Sequence, residues 1–232
     1  MKIMTFNTQH CKNYIEQKID FKIMADTIVY SGADLIGLNE MRGKGEDPEY
    51  DRQTEILSEL TGIRDFYFAK AIDVPNMGPY GNGLLSKIRI VSAETVPIPD
   101  PVPKDGGRNY ETRCVLKAKL ENGLSILVTH FGLNPDEQKN AVDTVLGLLE
   151  SEKCVLMGDF NVQPDDPVLL PIRARMHDAA EKFSAPKLSF PSDVPEVKID
   201  YIFATPDVEI AAADIPEIIA SDHRPHTAEI FF

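Results

Sequence analysis

The chain has 232 residues, 43% of them hydrophobic and 26% charged, a globular composition long enough to bury roughly 70% of the surface an unfolded chain exposes. Its formal net charge of −13 argues against a protein that grips long nucleic acid, because such proteins cluster Lys and Arg to displace counterions from phosphates. No apolar run approaches the ~18 residues of a membrane span, and the chain opens directly on a strand-like segment, so the expected setting is the cytosol.

In chain order, "KIMTFNT" reads as a strand. Ile15, Ile19 and Ile23, followed by Met24 and Ile28, predict an amphipathic helix ending near Ser31-Gly32. "ADLIGLNE" reads as a buried strand, and "DRQTEILSEL" as a second helix before the strands "FYFAKA", "GNGLLSK" and "IRIVSAETV". "PIPDPVPKDGGRNY", residues 97–110, is a Pro- and Gly-rich stretch expected to be a long functional loop. "ETRCVLKAKL" and "LSILVTHF" form a hairpin turning at Asn122-Gly123. Asn134-Pro135 opens a helix through "EQKNAVDTVLGLLE", with Asn as N-cap and Pro in the first turn. The segment "CVLMGDFN" follows as a strand, then an irregular Pro-rich region and the strands "VKIDYIFAT", "DVEIAAADI" and "HTAEIFF". No linker or composition shift divides the chain, so 1–232 reads as a single domain. Cys11, Cys114 and Cys154 form no metal-binding spacing and read as packed thiols.

Several apolar segments end in chemistry-bearing residues: "IMTF" at Asn7, "LIGL" at Asn39-Glu40, "SILV" at Thr129-His130, "CVLM" at Gly158-Asp159-Phe160-Asn161, and "IIA" at Ser221-Asp222-His223. Each alone has a plain structural explanation as a turn former, cap or solvated strand end. On an extended backbone Asp159 and Asn161 would share one face. Carboxylate and carboxamide oxygens without thiolates favour a hard cation such as Mg²⁺ or Mn²⁺, for which Glu40 alone could be the main anchor. Histidines beside it can donate to the charge that builds on a phosphoryl group. Together these groups suit metal-assisted phosphoester hydrolysis.

The ordered set "TFNTQH", "LIGLNE", "GNGLLSK", "ETRCVLK", "THFGL", "GDFN", "KIDYIF" and "SDHRP" resembles the endonuclease/exonuclease/phosphatase superfamily, and spans the chain from end to end. The resemblance implies an α+β protein, a four-layered α/β/β/α sandwich of the deoxyribonuclease-I-like kind with its site at one rim of the paired sheets. It implies a metal site of Glu40 supported by Asn7 and Asp222. It also implies Asp159 as the residue that orients or deprotonates water, Asn161 as a phosphate contact and His223 as transition-state stabiliser oriented by Asp200. His130 resembles a phosphate-contacting or acid-catalyst histidine, and Arg113 and Asn82 stand where members often place substrate-facing side chains, a structural ion pair being the equal alternative for Arg113. Asn39 where glutamine is usual, and Lys198 where arginine is common, remove no required group. His10, His177 and His226 take no part in this reading, and His226 is expected to be structural or solvated.

The acidic balance favours a small phosphorylated substrate, a sugar, inositol or lipid-headgroup phosphate, over DNA or RNA. A nuclease is the alternative, a sphingomyelinase-like lipid enzyme is weaker, and a silent binding module would have lost one of Glu40, Asp159 or His223.

Overall fold

The computed structural model describes residues 1–47 and 49–232. The elements are β1 (Lys2–Asn7), α1 (Phe21–Ser31), β2 (Leu35–Arg42), α2 (Gln53–Thr61), β3 (Asp65–Val74), β4 (Gly78–Ser86), β5 (Ile90–Pro97), β6 (Cys114–Leu120), β7 (Ser125–His130), α3 (Pro135–Leu148), β8 (Cys154–Asp159), α4 (Leu170–Arg173), β9 (His177–Asp178), β10 (Asp200–Ala204), β11 (Glu209–Asp214) and β12 (His226–Phe231). They build two six-stranded sheets, in the orders β11-β12-β1-β2-β4-β3 and β5-β6-β7-β8-β10-β9.

Strand periodicity sorts the side chains into three apolar layers. Ile3, Leu35, Leu84, Ile126, Val128, Val155, Met157 and Ile202 meet between the sheets. The alternate residues Met4, Phe6, Ile36 and Leu38 pack under α1 and α2. Leu127, Leu156, Tyr201 and Phe203 pack under α3 and α4. The architecture is therefore a helix-sheet-sheet-helix sandwich, as the sequence predicts. At Gly37 the sheets are tightly packed: a Cβ there would lie 2.8 Å from the Met157 sulfur and 3.0 Å from a Val128 methyl carbon, so a larger residue would have to push both side chains aside.

The first helix begins later than the isoleucine spacing suggests. Asn13 Oδ1 accepts from the backbone N–H groups of Ile15 and Glu16, Gln17 takes a left-handed φ of 56°, and Ile15 is exposed. Asp20 is the true N-cap, accepting from Ile23 N at 3.1 Å. Local Asx-turn bonding thus wins over apolar periodicity across residues 13–19. The Asn134 prediction holds in full, with a reciprocal capping box between Asn134 and Glu137. The region after "GDFN" is less irregular than its prolines suggest, since it contains α4 and β9.

Register brings the polar strand ends to one rim. Asn7 pairs with Asn39 across the parallel β1–β2 ladder, and His130 with Asp159 across the parallel β7–β8 ladder. Asp200 opens β10 opposite Asp159, and His226 opens β12 near the end of β1. Asn7, Asn39, His130, Asp159 and Asp200 all fall on the parity of their strands that faces between the sheets.

Candidate active site

Asp159 is the centre of the rim. It is buried, and its Oδ2 accepts from Asn7 Nδ2 at 3.0 Å and lies 3.5 Å from His130 Nε2 and 3.6 Å from His223 Nε2. Its Oδ1 accepts from Asn161 N at 2.9 Å, and its own N–H donates to Asn39 Oδ1 at 2.9 Å, across the gap between the sheets. Gly158 makes this possible, because at its φ of 147° a Cβ would run into the Thr129 carbonyl oxygen. Burial raises the Asp159 carboxyl to about 7, against the downward pull of His223.

Asn161 reaches the site by a turn and not by strand parity. The strand stops at Asp159 and Asn161 adopts a left-handed φ of 52°, which the N–H bond to Asp159 Oδ1 stabilises. Its Nδ2 donates to the Phe131 carbonyl at 3.0 Å and lies 3.1 Å from His130 Nε2.

The two site histidines are held in opposite states. His223 Nδ1 donates to Asp200 Oδ2 at 2.9 Å, with both side chains buried. Burial opposes its charge, but the carboxylates of Asp200 and Asp159 outweigh that and raise it to about 10. His130 is held well below the usual imidazole range, by burial first and then by Arg113 and His223. Arg113 Nη1 lies 3.1 Å from His130 Nδ1, and a guanidinium has no lone pair to offer. Both ring nitrogens of His130 thus face N–H groups, Arg113 Nη1 at Nδ1 and Asn161 Nδ2 at Nε2, with Asp159 Oδ2 slightly farther from Nε2. A second proton on the ring is disfavoured, and His130 is neutral at this rim.

Glu40 stands where β2 is irregular. The β2–β4 register shifts between Leu38 and Met41, and Glu40 has a φ of 61°, a strained value for a non-glycine residue that turns its side chain off the regular pleat. Asn7 Nδ2 donates to Glu40 Oε1 at 3.2 Å, while Asn7 Oδ1 accepts from Gln9 N. Asn7 thus presents its nitrogen to both Glu40 and Asp159. Asp222 is half-buried and pushed up, by burial first and with the charge of Glu40 adding to it.

These groups fit a divalent cation. Glu40 has no Lys or Arg partner among the described residues, and its one basic neighbour, His10 at 3.6 Å, is lowered by burial. Two carboxylates, Glu40 and an Asp222 whose ionisation the Glu40 charge opposes, with oxygen donors and no thiolate, match a hard ion. Asp159, Asp200 and His223 also cluster closely enough to hold an ion, but His223 already spans the two carboxylates as their counter-charge.

Asn82 is buried, its Oδ1 accepting from Asn39 Nδ2 at 2.8 Å and its Nδ2 donating to Cys114 O at 2.9 Å, so its bonds tie β4 to β2 and β6. Arg113 is also turned inward, donating to Tyr80 Oη at 3.0 Å and pairing with Glu111. Two residues were missed by sequence reasoning. His10 lies against Glu40 because Gln9, His10 and Cys11 all take left-handed φ values, which no sequence signal announces. Asn39 joins three strands through Asn82, the Thr129 carbonyl and Asp159 N, and its position before Glu40 was the available signal. His226 is structural, its Nδ1 donating to the Asp200 carbonyl at 3.3 Å.

The family model described as Endonuclease/Exonuclease/phosphatase family matches residues 4–223. The chain belongs to that family. Its enzymes hydrolyse phosphoester bonds, and this chain is one of them. No curated protein matches it. Similar solved structures include an endonuclease/exonuclease/phosphatase from Beutenbergia cavernae, 21% identical with a TM-score of 0.76 over 99% of this chain and 71% of that one. A mannosyl-6-phosphatase from Bacteroides thetaiotaomicron is 17% identical with a TM-score of 0.78, each chain covered in full. The human Nocturnin catalytic domain with bound sulfate is 17% identical with a TM-score of 0.73, over 100% of this chain and 94% of that one. Among the described residues no helix is long and apolar enough to cross a membrane.

Proposed function

We propose that residues 1–232 act as one catalytic domain, a divalent-metal-dependent hydrolase of a small organic phosphate ester or diester. The observation that carries this reading is Asp159, poised near 7 between a charged His223 and a neutral His130 at the rim that also holds Glu40.

In this reading Asp159 Oδ2 accepts the proton of the attacking water, a task suited to a carboxyl raised toward neutrality. Asn7 keeps that oxygen aimed. His223, charged and fixed by Asp200, donates from Nε2 to the phosphoryl oxygens as negative charge grows on them. His130 and the Asn161 amide stand side by side at the phosphoryl position; a lowered, neutral imidazole suits positioning better than acid catalysis. Glu40 and Asp222 would hold the cation, Mg²⁺ or Mn²⁺, which when bound would neutralise phosphoryl oxygens. The net charge of −13 provides no long-range attraction for DNA, so recognition falls to groups inside the site. That the chain matches a sugar phosphatase over both full lengths is in keeping with a small substrate. The free, buried cysteines suit a reducing cytosol.

A hydrolysis screen with Mg²⁺ over sugar phosphates, inositol phosphates, nucleotides, lipid headgroups and DNA tests the reading. Glu40→Gln is expected to cut turnover at least about a hundredfold without loss of fold, and chelator should abolish wild-type activity reversibly. Undiminished hydrolysis in excess chelator would refute the metal dependence, and efficient plasmid nicking at ~150 mM salt would favour the nuclease alternative.

A further inference from the structure

We infer that His10 is a nitrogen ligand of the cation bound at Glu40 and that it makes the site prefer Mn²⁺ to Mg²⁺, an inference that rests on the metal dependence proposed for this rim. His10 Nδ1 lies 3.1 Å from the Glu40 carbonyl oxygen. A carbonyl can only accept, so Nδ1 carries the ring proton, and in the neutral ring Nε2 keeps its lone pair. That nitrogen lies 3.6 Å from Glu40 Oε2. Two acceptors facing each other at this distance form no hydrogen bond, yet they are close enough to hold one small cation between them. Burial, the largest influence on the ring, also opposes a second proton there.

Several contacts fix the imidazole in this pose. A metal-bound imidazole ordinarily donates its other N–H to a carbonyl or carboxylate, and His10 does so to the very residue whose carboxylate it faces. Both partners have left-handed backbone, with φ of 59° at His10 and 61° at Glu40, a conformation that costs non-glycine residues energy and clusters at functional sites. The rings of Tyr80 and Tyr50 meet the imidazole edge-on at centroid distances of 5.6 and 6.1 Å, and Gln53 Nε2 donates to the His10 carbonyl at 2.7 Å. Glu40 Oε1 already accepts from Asn7 Nδ2 at 3.2 Å, which leaves Oε2, on the His10 side, as the freer oxygen. Neither side chain is sealed: His10 is 24% and Glu40 22% exposed, so an ion can enter from solvent.

A nitrogen donor changes which ion the site favours. Mg²⁺ is served best by oxygen ligands and water, whereas an imidazole adds more for a first-row transition ion such as Mn²⁺.

Pulsed electron paramagnetic resonance of the full chain with Mn²⁺ reads this directly, because a coordinated imidazole gives a ¹⁴N modulation that carboxylates and water do not. Wild type should show the modulation. His10→Asn, which places a residue tolerant of left-handed backbone, should lose it. In calorimetric titration the same substitution should weaken Mn²⁺ binding about tenfold or more and Mg²⁺ binding about threefold or less. Modulation that persists in His10→Asn, or that disappears in His130→Gln or His223→Gln, would overturn the inference. Equal weakening of the two ions would overturn the stated preference. Mn²⁺ bound to wild type without the modulation refutes the His10 ligand and leaves the metal dependence standing; no Mn²⁺ binding at all refutes both. If His10→Asn does not fold, modulation kept in His130→Gln and His223→Gln and lost in Glu40→Gln supports the inference by itself, and any other pattern overturns it.

Discussion

His223 and His130 flank the same carboxylate oxygen and yet hold opposite charge states, because their second nitrogens meet different partners. Asp200 faces one and Arg113 the other. The charge on a catalytic imidazole is thus decided one bond away from the reacting atoms. If turnover needs Asp159 ionised and His223 charged, activity rises as pH passes about 7 and falls as it passes about 10. Asp200→Asn removes the main group that favours the charged His223. Its alkaline limb should move to lower pH by about one to three pH units, and the acid limb, which the Asp200 charge helps hold up, should move to lower pH as well. A kcat/KM profile of the variant against wild type checks this, and the double variant with His223→Ala should be little worse than His223→Ala alone.

Among the elements, the Asn134 cap does more than start a helix. Besides closing the capping box with Glu137, Asn134 accepts from Arg108 N at 2.9 Å and donates to the Arg108 carbonyl at 3.2 Å, so it anchors the 97–110 loop to α3. Asn134→Ala should cost about 2 kcal/mol, at the upper end for an N-cap, because the loop contacts go as well. Denaturant unfolding gives that figure, and limited proteolysis near Arg108 should become faster. This cap, the Asn122-Gly123 turn and the apolar strands were legible because each is a local pattern with a local cause. The polar strand ends were legible too, since a run such as "LIGLNE" must place its last residues at a sheet edge. What could not be read was whatever depends on how the sheets meet. Asn82, read as standing at a substrate-facing place, is bonded to Asn39 and Cys114; Arg113, read as either substrate-facing or ion-paired, pairs with Glu111 and lies against a histidine; Ile15 carried helical spacing but lost to the Asn13 turn.

For the whole molecule, the sandwich concentrates its titratable burial on the rim side, so acid should attack stability there first. His130 and His226 are both held well below 6.5, by burial first, with Arg113 and Lys198 respectively adding to it. A group lowered in the folded state stays neutral while the unfolded chain takes up its proton, so each histidine costs stability as pH drops below about 6.5, by up to about 1.4 kcal/mol per pH unit, and Asp159, raised to about 7, offsets part of that loss because the folded state takes up its proton first. His223 has the opposite sign. Raised to about 10, it contributes stability that is fully present below about 6.5 and is lost as pH rises toward 10. Lys198, lowered to about 8 chiefly by burial, offsets that loss in part, because its penalty is relieved as pH rises from about 8 to 10.5. His226 allows the acid arm to be isolated: it makes no bond to Asp159 among those of the described residues, and its one hydrogen bond is Nδ1 to the Asp200 carbonyl. Its Nε2 is buried without a partner, so the ring cannot accept a second proton cheaply. His226→Asn keeps a donor for that carbonyl and removes the titration. Between pH 6.5 and 5 its unfolding free energy should fall less steeply than that of wild type, by about 1.4 kcal/mol per pH unit, whatever its absolute stability at pH 7. Urea unfolding at half-unit pH steps measures both slopes, and parallel curves would mean that His226 is not the residue that resists protonation.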